Sequence, residues 1–309
     1  LRALVGCVKA RHLHWQGEWM QTRPWLENGW AALEHADGWL DIVAMTAEVG
    51  WRTRLRSHGL HAALLALDHV AQLADVRQWP RLNRMVQAWR IDALVQGGQL
   101  PAARQALQQI DLEGTASAGQ DWRSQEAALL ALARVQLHSG SSGGALIRLQ
   151  HAATVMEGKS LLLPAWRLRL MALAASSKAG TLESADVAQT LAPILQHALP
   201  GLLLEVGPCL LPALNAHPEP TPMLVAVIKK LRGWRAHPMP SPTALSAKEI
   251  QVLGLLASGQ SNKAIALALD ISENTVKFHL KHVFAKLGVD NRTAAVSAAL
   301  RQGHLAPLL

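Results

Sequence analysis

Tyrosine is absent from this 309-residue sequence and phenylalanine occurs twice, so aromatics reach only 4% and strand-favouring residues are scarce. Charged residues make up 17% and hydrophobic residues 50%, which excludes a disordered, solvating chain and fits a well-buried helical protein. Cysteine is also rare. Cys7 and Cys209 can build neither a disulfide framework nor a thiolate metal cluster, and a reducing cytoplasm is the expected setting. No run suits a bilayer: the least charged stretch, 187–204, is broken by Gln189, Thr190, Pro193, Gln196, His197, Pro200 and Gly201. A basic-then-apolar signal peptide is missing and the first residue is Leu1, so the sequence reads as a piece of a longer cytoplasmic protein with no membrane partner.

Recognisable reaction chemistry is missing too. No serine, cysteine or carboxylate pair stands with a base and an orienting partner in a known motif, so no catalytic residue is named and an enzyme is not expected. Gly158-Lys159-Ser160 copies the tail of a phosphate-binding loop, but Ala153 stands where that loop needs glycine, and a helix end is the better reading. His12 with His14, and His279 with His282, lack a third ligand at a diagnostic spacing; neither a metal nor a cofactor is expected in this chain. Tryptophans 15, 19, 25, 30, 39 and 51 suit helix-core packing better than one ligand-stacking surface.

What is present is positive charge. Thirty Lys and Arg against 22 Asp and Glu give +8 and an isoelectric point near 10.0, which points to a polyanionic partner. Residues 244–309 hold seven cations (Lys248, Lys263, Lys277, Lys281, Lys286, Arg292, Arg301) and four acids (Glu249, Asp270, Glu273, Asp290), seven minus four leaving +3.

Eight of the fifteen prolines fall between Pro208 and Pro242, in knots at 218–222 and 238–242 around one expected helix. These divide the chain into residues 1–217, a Pro-rich connection over 218–243 and a C-terminal domain over 244–309. In the first part, apolar residues recur at three and four positions, as at Leu64, Leu67, Val70 and Leu73, which predicts helices. Gly59, Gly98, Gly140 and Gly180 stand 39, 42 and 40 residues apart, each suited to the turn of a helical hairpin, and Ala103, Ala145 and Ala185 follow the last three by five residues. Small residues there let paired helices approach, as in a tetratricopeptide-like array whose concave face would take an effector or a partner protein. The expected fold class is all-α throughout.

Four helices can be delimited in the last domain. Ser246-Ala-Lys-Glu249 reads as a capping box starting a helix that runs to about Ser258, with Gly259 as its stop. Ser261 caps a second helix through Leu269, Asp270-Ile271 makes a tight turn, and Ser272 caps a third that ends at Gly288. A fourth begins at Asp290 or Asn291 and extends to about Gln302. Helices two and three make a helix-turn-helix. On the third, Val276, Leu280, Val283 and Leu287 form an apolar stripe for the core, while Asn274, Lys277, Phe278 and Lys281 face outward together, suited to base edges and phosphates in a major groove.

Over residues 245–305 the sequence resembles the LuxR-type helix-turn-helix family of bacterial transcription regulators. The resemblance rests on Leu245-Ser246, Glu249, Val252-Leu253, Gly259, Ser261-Asn262-Lys263, Ile265-Ala266, Leu269, Ile271-Ser272, Thr275-Val276-Lys277, His279, Lys286-Leu287, Val289, Arg292-Thr293 and Ala295-Val296. It implies sequence-specific binding of double-stranded DNA, with Lys277, Phe278 and Lys281 reaching bases beside Asn274. It also implies phosphate contacts from Ser261, Asn262, Lys263 and Thr275, and a homodimer on DNA through Val296 and Leu300 of the fourth helix. Leu267-Ala268 stands where relatives usually carry a basic pair, which implies up to two fewer phosphate contacts. Upstream, the repeat glycines and Leu204-Glu-Val-Gly-Pro208 with Leu210-Leu211 resemble MalT-like large ATP-binding regulators, whose nucleotide-hydrolysing domain would precede this chain. The alternative is a repeat-type interaction scaffold whose DNA-binding module is weak or vestigial.

Overall fold

The computed structural model describes residues 2–35, 39–111, 121–140, 142–234, 245 and 247–301, and among them every regular element is helical. The chain divides into two units, residues 1–238 and 239–309. In the first lie α1 (Arg2–Trp15), α2 (Arg23–His35), α3 (Leu40–His58), α4 (Leu60–Val76), α5 (Pro80–Gln96), α6 (Leu100–Gln108) and α7 (Trp122–Ser139). These are followed by α8 (Ser142–Gly158), α9 (Leu162–Ala179), α10 (Ser184–Gln196), α11 (Pro200–Val206), α12 (Leu211–Asn215) and α13 (Pro222–Arg232). In the second lie α14 (Ala247–Ala257), α15 (Asn262–Leu269), α16 (Glu273–Leu287) and α17 (Arg292–Arg301). No helix among the described residues is long and apolar enough to cross a membrane.

The glycine spacing marks real hairpins. Gly59, Gly98, Gly140 and Gly180 all sit at positive φ, between +74° and +85°, at the turns of α3/α4, α5/α6, α7/α8 and α9/α10. Ala103 and Ala145 are buried at the fourth position of α6 and α8. Ala185 departs from the expectation and is exposed: α10 starts four residues after its glycine instead of two, so this alanine falls on the first turn and Val187 and Leu191 take the buried places. The early tryptophans share no surface, with Trp51 fully buried and Trp39 74% exposed.

The first helices of the hairpins, α3, α5, α7 and α9, pack side by side. The face they share is lined by buried charge, and a later segment of the same chain lies against it. Glu48 and Arg52 of α3, Asp92 of α5, Glu126 and Arg134 of α7 and Arg167 of α9 converge there, and α11 lies against them. Several pairs join equivalent places in successive hairpins: Arg52 to Asp92, 40 residues on, and Glu126 to Arg167, 41 residues on. Arg56 Nη2 donates to the Leu204 carbonyl at 2.6 Å and Arg134 Nη1 to the Val206 carbonyl at 2.6 Å, fastening α11 in place. Space for about one water, about 20 Å³, remains beside His14, Glu126, Arg167 and Glu205. Helix α13 joins this unit, turning Leu224, Val227 and Leu231 inward and packing on α11 and α12.

Candidate nucleic-acid interface

The second unit is built around Val252, Leu253 and Leu256 of α14, Ile265 and Ala266 of α15, Val276, Leu280, Val283 and Leu287 of α16, and Ala295, Ala298 and Ala299 of α17. The apolar stripe foreseen on the third helix is therefore wholly committed to the core. Turn chemistry sets the angle between α15 and α16. Asp270 adopts the left-handed conformation (φ 52°, ψ 51°), and the Ser272 hydroxyl accepts the Thr275 amide at 3.1 Å. Ser261 caps α15 in the same way, accepting from Ala264 N–H at 3.2 Å, which leaves the Asn262 and Lys263 amides in a first turn without intrahelical acceptors.

Rotation about α16 places Asn274, Lys277 and Lys281 in solvent on the side opposite the stripe. Phe278 differs from its expected outward pose. It is half-buried, its ring 4.4 Å from that of His282 and 6.0 Å from that of His279, so the histidines cover apolar surface that the sequence pattern left bare. Burial pushes His279 below the ordinary imidazole range, with Glu249 opposing and Lys248, His282 and Lys286 reinforcing the shift. Thr275 is half-buried, its hydroxyl 2.8 Å from that of Ser272. Val296 is half-buried against the core, and the Leu300 side chain lies outside the described residues.

Two side chains hold this arrangement together in ways the sequence did not announce. Glu249 is fully buried and its Oε2 receives Lys286 Nζ at 2.7 Å, a bridge between α14 and α16. Beside this core ion pair, the capping-box reading of Glu249 rests on Ser246, which lies outside the described residues. Arg292, at the start of α17, donates to the Asn262 side-chain carbonyl at 3.0 Å and to the Gln260 main-chain carbonyl at 2.7 Å. It fixes the entry to α15 from 30 residues away. Helical periodicity carries no signal for such a contact. No group of three or more His, Cys, Asp or Glu among the described residues is placed to hold a metal.

The profile of the bacterial regulatory proteins, luxR family, matches residues 243–299, which include α14, α15 and α16 and most of α17. The C-terminal domain belongs to the LuxR family. Similar proteins include the monoamine regulon transcriptional regulator of Klebsiella aerogenes, 51% identical over 69 residues, which are 21% of this chain and 30% of the relative. The probable transcriptional regulatory protein NarL of Mycobacterium tuberculosis is 46% identical over 68 residues, 22% of this chain and 32% of its own length. The HTH-type transcriptional regulator AlkS of Alcanivorax borkumensis is 46% identical over 63 residues, 20% of this chain and 7% of AlkS. The chain therefore spans less than a third of the first two relatives in the stretches that match.

Proposed function

We propose that this chain is a sequence-specific DNA-binding transcriptional regulator, without enzymatic activity of its own, acting in the cytoplasm. Helix α16 enters the major groove of double-stranded DNA, where Asn274, Lys277, Phe278 and Lys281 meet base edges. Ser261, Asn262, Lys263 and Thr275 hold phosphates, since a capped helix start with unbonded amides and a lysine both attract anions. Val296 and Leu300 pair two copies on DNA, and the first unit responds to an effector or a protein partner. The observation that carries this reading is the division of α16: four apolar side chains are buried on one side, while Asn274, Lys277 and Lys281 are exposed on the other, beside a serine-capped helix.

Selection of binding sites from randomised duplexes with the full chain tests it. A recurrent half-site is expected, with binding to it lost in the double variant Lys277→Glu, Lys281→Glu. Enrichment of no sequence, or unchanged affinity after both reversals, would refute the groove-reading role and favour an interaction scaffold.

A further inference from the structure

With the inner face of the hairpins closed by α11, a cavity of about 590 Å³ remains in the first unit beside the turn that follows α1, a size suited to a small organic ligand. Trp19, Leu55, Leu60, Leu204 and Trp234 give it a largely apolar wall. One cation is set into that wall. The Arg56 guanidinium contacts two indoles, 4.5 Å from the ring centre of Trp19 and directly against Trp234. Its Nη2 is used, donating to the Leu204 carbonyl and, at 3.5 Å, to Gln96.

Its Nη1 is buried and has no hydrogen-bond partner among the described residues. An unsatisfied charged donor in an apolar wall is costly unless an anion completes it. Burial, with Arg134 and Arg52 adding repulsion and Glu205 and Asp92 opposing them, pushes Arg56 well below the usual arginine range, a shift that a bound anion would also oppose. Lys230 adds a second positive charge at the solvent-exposed mouth, where Glu18, also exposed, is the acid among the lining residues.

We propose that this cavity binds a small molecule with one carboxylate on an apolar body, the carboxylate accepting from Arg56 Nη1 and the body lying against Trp19, Leu60 and Trp234. A charge-assisted bond at Nη1 gives the selectivity, and the indoles give the affinity. This rests on the reading of the chain as an effector-responsive regulator and adds the chemical class of the effector. Trp234 lies within the Pro-rich connection and is the last described residue of the first unit, so a ligand touching it acts near where the chain leaves that unit.

The full 309-residue chain is titrated with octanoate and 4-phenylbutyrate, and with the two matching primary amides, by calorimetry and tryptophan fluorescence; DNA binding is measured separately on the same preparation. At least one acid should bind at one site per chain, at least tenfold tighter than its amide. Arg56→Met should remove that preference, and Trp234→Ala should weaken the acid at least fivefold. The proposal is overturned if neither acid binds saturably, if the amides bind equally well, or if a folded Arg56→Met variant keeps the preference. Should that variant not fold, unchanged acid affinity in Trp234→Ala overturns it. Carboxylate binding without DNA binding would sink only the regulator reading, and the converse only this one.

Discussion

His14 Nε2 and Glu205 Oε1 lie 2.8 Å apart although 191 residues separate them, and both side chains are buried. The contact joins α1 to α11 and so brings the two ends of the hairpin array together. Glu205 Oε2 also pairs with Arg167 at 2.9 Å, and Arg167 in turn reaches Glu126 at 3.0 Å and Glu48. One carboxylate thus joins the first helix, the inner layer and the returning segment.

Removing that carboxylate leaves Arg167 and His14 buried with fewer partners, and breaking a buried pair from one side costs ~3 kcal/mol or more. Glu205→Ala is accordingly expected to lower the stability of the first unit by about that amount. Gly201→Ala should act on the same closure by a different route, because a Cβ there would run into the His14 carbonyl and the Trp15 backbone. All eleven tryptophans lie in the first unit, so urea denaturation followed by tryptophan fluorescence reads it alone. A change below about 1 kcal/mol in both variants would show that the closure contributes little.

Within the same network the carboxylates differ in sign. Burial opposes ionisation of Glu48, but Arg167 and Arg52 outweigh it and hold Glu48 at about 2; burial of Glu205 is outweighed in the same way, and its pKa lies lower still. Both contribute stability that is present above pH 4.5 and lost as pH falls toward their folded values. Glu126 goes the other way, pushed up to about 6 by burial, against Arg167 and with Glu48 and Glu205 reinforcing it. Between pH 4.5 and about 6 the folded chain keeps a proton that the unfolded chain releases, so Glu126 costs stability as pH rises through that window. Glu126→Gln keeps an acceptor for Arg167 and cannot ionise. Relative to wild type it should gain on the order of 2 kcal/mol between pH 4 and pH 7, at ~1.4 kcal/mol per pKa unit. Parallel stability-pH curves for the two proteins would contradict the assignment.

The hairpin turns could be read in the sequence because glycine occupies each positive-φ position at 59, 98, 140 and 180. Gln78, Ser160 and Ala198, which take positive φ just after α4, α8 and α10, could not, since those residue types rarely adopt that conformation and tertiary packing imposes it. The buried stripe of α16 followed from 3.6-residue periodicity. The charged layer was hidden for the opposite reason: Arg52, Asp92, Glu126 and Arg167 each look like a solvated position on a helix, and only their 40- and 41-residue spacing across hairpins hints that they face one another. Self-occupation of that face by α11 had no local signal, because it depends on a contact closed over nearly 200 residues.

The Glu249–Lys286 bridge yields a prediction confined to the second unit. Glu249 is fully buried, so Lys286→Met strips a buried carboxylate of a cation and should destabilise this domain by ~3 kcal/mol. No tryptophan lies in that unit. The loss should therefore appear in the helical circular dichroism of the full chain and leave the tryptophan transition in place. DNA affinity should fall with the folded fraction and recover on cooling or in stabilising osmolyte. Lost affinity at full helicity would instead make Lys286 a DNA contact.

Salt dependence separates the exposed lysines by role. Each neutralised phosphate contributes roughly 0.9 to the slope of log affinity against log salt, so Lys263→Ala should flatten the slope by about one unit and weaken all duplexes alike. Lys277→Ala, if its side chain reads a base, should cost ~1–3 kcal/mol on the selected sequence and much less on others. Leu267 offers the reverse experiment: it is 86% exposed on α15, at a position where a cation would meet the backbone if α15 lies across it. Leu267→Arg should steepen the slope by up to one unit and raise affinity without changing the preferred sequence. A slope unmoved by both Lys263→Ala and Leu267→Arg would place α15 away from the phosphates, and α16 would then have to enter the groove in a different orientation.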